Sequence, residues 1–400
     1  MSIRLLKVRF DHLTMFENGI FELDLHAEDK VFSSDESVSV LSKPFYTNNI
    51  VAIAGINASG KSVALNLLDF ALRSISGGPV GGPIYQKTIA DLFEGDPAMD
   101  LVLWHEETLL LLKTSFKIQT KNSLDATGSP AIRFDKETLY SLNGIVKKKD
   151  DLTGILDHFD PDQVTPLAQR EKLDPRQSRF LPIDAGFTAA ILNSDVPHIC
   201  ISSGEPDITI KEESTHLDTV LRAFDASIEH LSVEDEGRAF RLKQVNRQKP
   251  VTLSSAGLAR VLSSGTLRGL AITQQAIAVL RAGGYLLVDE IENHLNHQLV
   301  DMILDLFASR ETNPNGATLI FSTHYPEVLN AIHRKDNVYF FSRGGNCRTN
   351  IVKFSDRVSR VEANKSEYFV SNYIGGTAPR YADVIALRNY ARSEVTHRHA

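Results

Sequence analysis

Eight consecutive residues, Gly55-Ile56-Asn57-Ala58-Ser59-Gly60-Lys61-Ser62, constrain this chain more than any other stretch, because they satisfy the pattern G-x-x-x-x-G-K-[ST]. The apolar run Ile50–Ala54 precedes them and the amphipathic run Val63–Ile75 follows, so the pattern sits between a predicted strand and a predicted helix. Gly55 and Gly60 let the backbone turn back until successive amides and a helix N-terminus point at one anion, where the helix dipole also favours negative charge. Lys61 is then placed to reach the β- and γ-phosphates of a nucleotide, and the Ser62 hydroxyl to complete the shell of a magnesium ion. A glycine-rich turn alone would carry less; the strand and helix on either side give it weight.

The chain has 400 residues and is 42% hydrophobic, enough for one large domain or a few modest ones with a proper core. Lys plus Arg number 43 against 50 Asp plus Glu, a formal charge of −7, so the chain as a whole is not a polycation that coats nucleic acid. Its two cysteines, Cys200 and Cys347, have no CxxC spacing, which speaks against a disulfide framework or a structural zinc site. The opening MSIRLLKVRF lacks the apolar core of a signal peptide, and no apolar run is long enough to span a bilayer. The expectation is a cytoplasmic protein with no membrane partner.

Ile3–Phe10 and Gly19–Leu25 alternate as two antiparallel strands joined by a turn at Met15–Asn18, and the polar stretch Lys30–Ser42 reads as a loop. Asn49–Gly55 is continuously apolar, as in a parallel strand covered on both faces. Leu65, Leu68, Leu72 and Ile75 recur at helical spacing until Gly77-Gly78-Pro79 stops the helix. Gly81-Gly82-Pro83 has neither a strand before it nor a Lys-Ser after it and reads as a connector. Leu101–His105 and Thr108–Ile118 are further strands.

The predicted organisation is an α/β fold, a mixed-sheet P-loop head split in sequence. Residues 1–119 form its N-terminal half, 120–250 an inserted and partly helical subdomain with Thr215–Leu231 as one helix-like piece, and 251–400 its C-terminal half. The basic run Arg238, Arg241, Lys243, Arg247 and Lys249 near the end of the insertion has two readings, a solvated strand face or an edge that contacts nucleic-acid phosphates.

Three later segments complete an ordered series. Leu262-Ser263-Ser264-Gly265-Thr266 opens the helical run Leu267–Arg281, and a serine-glycine turn at a helix start is a second anion site, although serine there is commonly only a cap. Tyr285-Leu286-Leu287-Val288-Asp289-Glu290 is an apolar strand ending in two acids. Asp289 stands where a magnesium carboxylate is needed, and Glu290 where a base can orient and deprotonate the attacking water. Ala317–Thr323 is another buried strand, and His324 at its end can hydrogen-bond a γ-phosphate or that water. His294 with His297, and His397 with His399, lack a third ligand and do not make a metal site.

The set GINASGKS, LSSGT, YLLVDE and STH resembles the ATP-binding-cassette class of ATPases, which includes the RecF and SMC heads. Within that class, the forms N-A-S-G-K-S, L-S-S-G-T and Asp289-Glu290-Ile291-Glu292-Asn293 are most similar to the OLD-type AAA ATPases of bacterial anti-phage and abortive-infection systems, as is the tail piece Tyr373–Pro379. The resemblance implies ATP and Mg2+ as cofactors. Gly55, Asn57, Ala58, Ser59, Gly60, Lys61 and Ser62 would bind the phosphates, Ser62 and Asp289 the magnesium, with Glu290 as general base, His324 as switch residue and Lys61 stabilising the reacting phosphate. Ser263 and Gly265 would contact the γ-phosphate of ATP held by a neighbouring subunit, so the working unit would be a homodimer or higher homo-oligomer.

OLD nucleases carry a Toprim domain after the ATPase, but the stretch following His324 is short for that domain and has no D-x-D pair. The resemblance therefore implies a separate effector protein, a Toprim or HNH nuclease, and a trigger that is DNA or phage-derived. Departures from the class are also legible: Ser264 and Thr266 replace a glycine and a glutamine of the transporter turn, and Asn296 replaces an aspartate. Gln86 is a metal-sensing glutamine by chain order alone, and Phe45 or Tyr46 could stack on adenine. The rival readings are a RecF- or SMC-like DNA maintenance ATPase, a transporter ATPase, and a protein that uses ATP only as an assembly ligand.

Overall fold

The computed structural model describes residues 3–82, 85, 88–118, 132–174, 176, 179–203, 217–235, 238–358, 364–373, 375 and 381–396. Two six-stranded sheets form the body. The first is built from β1 (Arg4–Leu13), β2 (Phe21–Asp24), β6 (Phe93–His105), β7 (Thr108–Ile118), β8 (Ile132–Ser141) and β9 (Ala168–Gln169), in the order β2-β1-β6-β7-β8-β9. Every neighbouring pair in it is antiparallel.

The second sheet contains β5 (Ile50–Gly55), β10 (His198–Ile201), β14 (Tyr285–Val288), β15 (Thr318–Thr323), β16 (Val338–Arg343) and β17 (Thr349–Lys353), ordered β10-β14-β15-β5-β16-β17. It is parallel except for the β16–β17 hairpin. All six residues of β5 are buried, as its unbroken apolar run requires for a strand covered on both faces. The period of two sorts them: Val51 and Ile53 point into a cluster with the helix Lys61–Ile75 and the antiparallel sheet. Ile50, Ala52 and Ala54 point into a cluster with helices Ser264–Ala282 and His297–Ala308.

The expected opening hairpin, the buried strand into the loop and the following helix are all present. Within the stretch read as a loop, β3 (Val38–Ser42) pairs with β4 (Phe45–Asn48) as a separate two-stranded sheet. The stretch 120–250 is not one subdomain. Its β8 and β9 extend the first sheet and its β10 edges the second, because strand pairing joins residues without regard to their separation along the chain. What remains apart is a small unit of β11 (Ile228–Glu234), β12 (Ala239–Gln244) and β13 (Val251–Ser254), packed on helix Leu217–Phe224 through Leu221, Leu231, Phe240 and Leu242. The helix expected over Thr215–Leu231 thus ends at Phe224, and the chain continues as strand β11.

Helix Ser264–Ala282 belongs to both bodies. Leu267 and Leu270 lie in the core of the small unit, while Ile272, Ala276 and Val279 lie against the parallel sheet. Gly269 sits where any Cβ would collide with the Phe224 ring, so that ring packs directly on the backbone of helix Ser264–Ala282.

Candidate active site

β5, β14 and β15 run parallel and adjacent, so the residues at their C-terminal ends meet at one edge of the sheet. That edge carries the glycine loop after β5, Asp289 and Glu290 after β14, and His324 after β15.

The loop geometry demands its glycines. A Cβ on Gly55 would lie 2.5 Å from the Phe341 carbonyl oxygen and from Ser59 Oγ, and Gly60 has φ +99° with Thr349 Oγ1 only 2.9 Å from where a Cβ would stand. Ala58 also has positive φ, 61°, and is exposed together with Asn57, while Ser59 and Gly60 are buried. The hairpin β16–β17 braces the loop from behind: Arg343 Nε donates to the Ala58 carbonyl at 2.6 Å and Thr349 Oγ1 to the Ser59 carbonyl at 2.9 Å. Neither residue carried a sequence signal, since the contacts depend on strand pairing far along the chain.

Lys61 folds back across the loop, its Nζ donating to the Gly55 carbonyl at 2.8 Å and the Ile56 carbonyl at 3.0 Å. Burial pushes its pKa below the ordinary lysine value, and the charges of Glu290, Asp289 and Glu292 oppose that shift. Ser62 Oγ donates to Asp289 Oδ2 at 2.8 Å, and Ser322 Oγ donates to Asp289 Oδ1 at 2.5 Å. The Glu290 amide in turn donates to Ser322 Oγ at 2.7 Å. Behind the acids lies Arg268, fully buried, donating to the Asp289 carbonyl oxygen at 2.9 Å and the Ser202 carbonyl at 2.8 Å. Burial lowers its pKa, against the pull of Asp289 and Glu290. Ser322 and Arg268 were missed by the sequence reading; Ser322 stands in the S-T-H triplet, but only its hydroxyl geometry gives it a part.

Glu290 is partly exposed and has φ 49°, a left-handed backbone that turns the chain sharply after β14. His324 does not meet Glu290 by any hydrogen bond among the described residues. Its backbone amide donates to Glu292 Oε1 at 2.8 Å, and its Nδ1 lies 2.8 Å from the same oxygen.

The serine-glycine turn forms as expected at a helix start. Ser263 Oγ accepts from the Thr266 amide at 3.0 Å and caps helix Ser264–Ala282. Ser264 Oγ lies 3.3 Å from His294 Nδ1, and a Cβ on Gly265 would collide with the His294 carbonyl oxygen. The turn thus packs on the segment following the acids in its own chain, with Ser263 and Ser264 exposed. Asn296 caps the next helix by accepting from the Leu299 amide at 3.0 Å, a role that an aspartate would fill equally.

The remaining sequence candidates lie elsewhere. Phe45 packs its ring against Trp104, with centroids 5.9 Å apart, in a core cluster formed with β6 and β7. Gln86, His397 and His399 lie outside the described residues, as does the tail piece apart from Tyr373 and Gly375. His297 pairs with Asp301 at 2.8 Å. Asp24, His26 and Glu28 come within metal-ligand range of one another, but Lys353 Nζ stands 2.6 Å from Glu28 Oε2 and Lys7 Nζ 3.4 Å from Asp24 Oδ1, so two ammonium groups already supply the countercharge. Of the basic run, the two members on β12 face acids: Lys243 pairs with Glu229 at 3.2 Å and Arg241 approaches Glu234 at 3.9 Å.

A triphosphate and a magnesium ion fit this edge. The loop leaves no room for Cβ atoms on Gly55 or Gly60, and it ends at a helix N-terminus beside a lysine held only by neutral carbonyls. Ser62 and Asp289 offer adjacent oxygen donors of the hard type magnesium prefers. Among the described residues, no helix is long and apolar enough to cross a membrane.

No curated protein matches the chain. Among solved structures, the SMC head domain from Thermotoga maritima is similar over 88% of this chain and 98% of that one, at 15% identity and a TM-score of 0.42. An SmcHead bound to the C-winged helix domain of ScpA is similar over 88% and 99%, at 13% identity and a TM-score of 0.46. Likeness at this level adds nothing to the strand order and loop geometry, which carry the fold assignment by themselves. The family described as "AAA domain, putative AbiEii toxin, Type IV TA system" matches residues 50–330, from the strand before the glycine loop to just beyond His324. With its phosphate loop, paired acids and strand-end histidine gathered at one sheet edge inside that match, the chain belongs to this AAA family.

Proposed function

We propose that the protein is an ATPase that acts as a pair of chains and regulates a separate effector in bacterial anti-phage defence. The observation that carries the ATPase part is the convergence of Lys61, Ser62, Asp289 and Glu290 at the ends of two strands that flank β15, with Ser322 of β15 bonded to the Asp289 carboxylate and the Glu290 amide.

Amides of residues 55–62 would hold the β- and γ-phosphates, and Lys61 would exchange its two carbonyl partners for phosphate oxygens. Ser62 and Asp289 would hold the magnesium, which when bound neutralises charge on the phosphates. Glu290, partly exposed at the left-handed turn, would orient the water and take its proton. His324 would hydrogen-bond the attacking water beside the γ-phosphate. Most of the rate enhancement is then electrostatic and positional, supplied by groups already fixed before the nucleotide arrives.

Exposed Ser263 and half-buried Gly265, at the start of a 19-residue helix, are suited to the γ-phosphate of ATP on a second chain. Control of an effector is supported by the family's description, which names a toxin–antitoxin system. The DNA-maintenance alternative has less support, because the basic face of β12 is met by acids of β11.

The test is ATP binding and hydrolysis by wild type, Lys61→Ala and Glu290→Gln across a range of protein concentrations. The expected result is a rate per chain that rises with concentration, binding without turnover in Glu290→Gln, and loss of binding in Lys61→Ala. Wild-type protein that ignores nucleotide overturns the ATPase assignment, and equal hydrolysis by Glu290→Gln removes Glu290 from the role of base. Co-purification with the product of the adjacent open reading frame tests the effector; a replication or recombination protein there would favour DNA maintenance.

A further inference from the structure

Glu292 is almost fully buried, at 3% exposure, only two residues beyond the proposed base. A carboxylate that deep is costly unless it is used, and its partners belong to a different strand. Oε1 accepts from the His324 backbone amide at 2.8 Å, and the same oxygen lies 2.8 Å from His324 Nδ1, a close charge–ring approach that is not aligned as a hydrogen bond, while Oε2 has no hydrogen-bond partner among the described residues. A carboxylate oxygen that close to a bare nitrogen lone pair would be repelled, so Nδ1 carries the proton and Nε2 becomes the ring's other polar atom. The His324 side chain remains 30% exposed, and its ring tilts over Tyr325 with centroids 4.4 Å apart.

The surrounding backbone makes this arrangement stiff. The Glu290 amide donates to Ser322 Oγ and the Ile291 amide to the Ser322 carbonyl at 3.1 Å, so residues 290–292 are stitched to the end of β15 at three points, the Glu292–His324 bond being the third. The Leu295 amide closes the turn on the Glu292 carbonyl at 2.9 Å. The two acids therefore divide the work. Glu290 has no hydrogen bond to His324 among the described residues and keeps its carboxylate for water, while Glu292 is committed to the histidine.

We infer that Glu292 is the positioning residue of His324: it fixes the imidazole with Nδ1 protonated and presents Nε2 toward the nucleotide edge of the sheet. This deepens the ATPase reading and rests on it for its consequence in turnover, but not for the state of the ring. A carboxylate oriented behind an imidazole is the general way proteins fix a histidine tautomer, and removing such a partner costs about 10–100-fold in the activity that the histidine supports.

Two measurements on the full-length chain test it. In protein labelled with 15N-histidine, the ring signal missing from His324→Gln identifies His324, and its nitrogen shifts report which nitrogen holds the proton. The expected result is an Nδ1–H ring in wild type that changes tautomer or averages between tautomers in Glu292→Ala. An Nε2–H ring in wild type, or a ring indifferent to Glu292→Ala, overturns the inference whether or not the protein hydrolyses ATP.

The second measurement is a double-mutant cycle on turnover. Glu292→Ala should lower kcat about 10–100-fold with ATP affinity unchanged, and should cost nothing further when His324 is already alanine. Glu292→Gln, whose amide oxygen can still accept from the His324 backbone amide and face Nδ1, should recover part of the loss and keep the melting temperature near wild type. Additive losses on the His324→Ala background would make Glu292 a structural residue only and overturn the assignment. Absence of hydrolysis in wild type would instead sink the ATPase reading and leave the tautomer measurement to decide this one.

Discussion

At the ends of β5, β14 and β15, buried Asp289, Ser322 and Glu292 are each tied by hydrogen bonds to another segment of the chain. On the unit built from β11 to β13, exposed Arg241 and Glu229 stand in solvent and pair across strands with half-buried Glu234 and Lys243, at 3.9 Å and 3.2 Å. The first region has a fixed arrangement of polar groups in a low-dielectric setting, where each bond is worth more and each loss costs more. The second holds its shape by Leu221, Leu231, Phe240 and Leu242, with charge as a solvated face. Helix Ser264–Ala282 joins them, carrying the serine-glycine turn at one end and reaching the acids through Arg268.

The sharpest way to break this contrast is Glu290→Gln, which should lower turnover about 10²–10⁴-fold while ATP still binds, read by hydrolysis rate against nucleotide titration. Next is Gly269→Ala at the junction, where the new methyl group meets the Phe224 ring. It should destabilise the protein by about 1–3 kcal/mol in denaturant unfolding. If the two regions are mechanically separate, ATP affinity and turnover of the folded variant will both hold; a fall in turnover at unchanged affinity would show that the junction couples them.

Removing the cap with Ser263→Ala should cost about 0.5–2 kcal/mol of stability. In the paired-chain reading it should also reduce turnover at protein concentrations where pairs form, and an unchanged rate would remove the turn from the site. Smallest is Arg241→Ala with Lys243→Ala on the solvated face, expected to shift stability by no more than about 1 kcal/mol and ATPase activity not at all. Salt-dependent DNA binding that stimulates hydrolysis and disappears in that double variant would turn the second region into a nucleic-acid surface.

Much of this molecule could be read without coordinates. The strand, glycine loop and helix over residues 50–75, the two strand-end acids and the histidine after Thr323 are fixed by neighbours within a few residues, because loop conformation, capping and burial pattern are local properties. Where a contact joins distant residues, no short-range signal exists. That is why residues 120–250 read as one insertion when their strands are shared among three sheets. It is also why Arg343 and Thr349 behind the loop, and Arg268 behind the acids, went unseen. The same limit applies to His324: its place in the series was legible, but Glu292 and not Glu290 as its partner was decided by the pairing of β14 with β15 and the left-handed turn at Glu290, which the residue order does not encode.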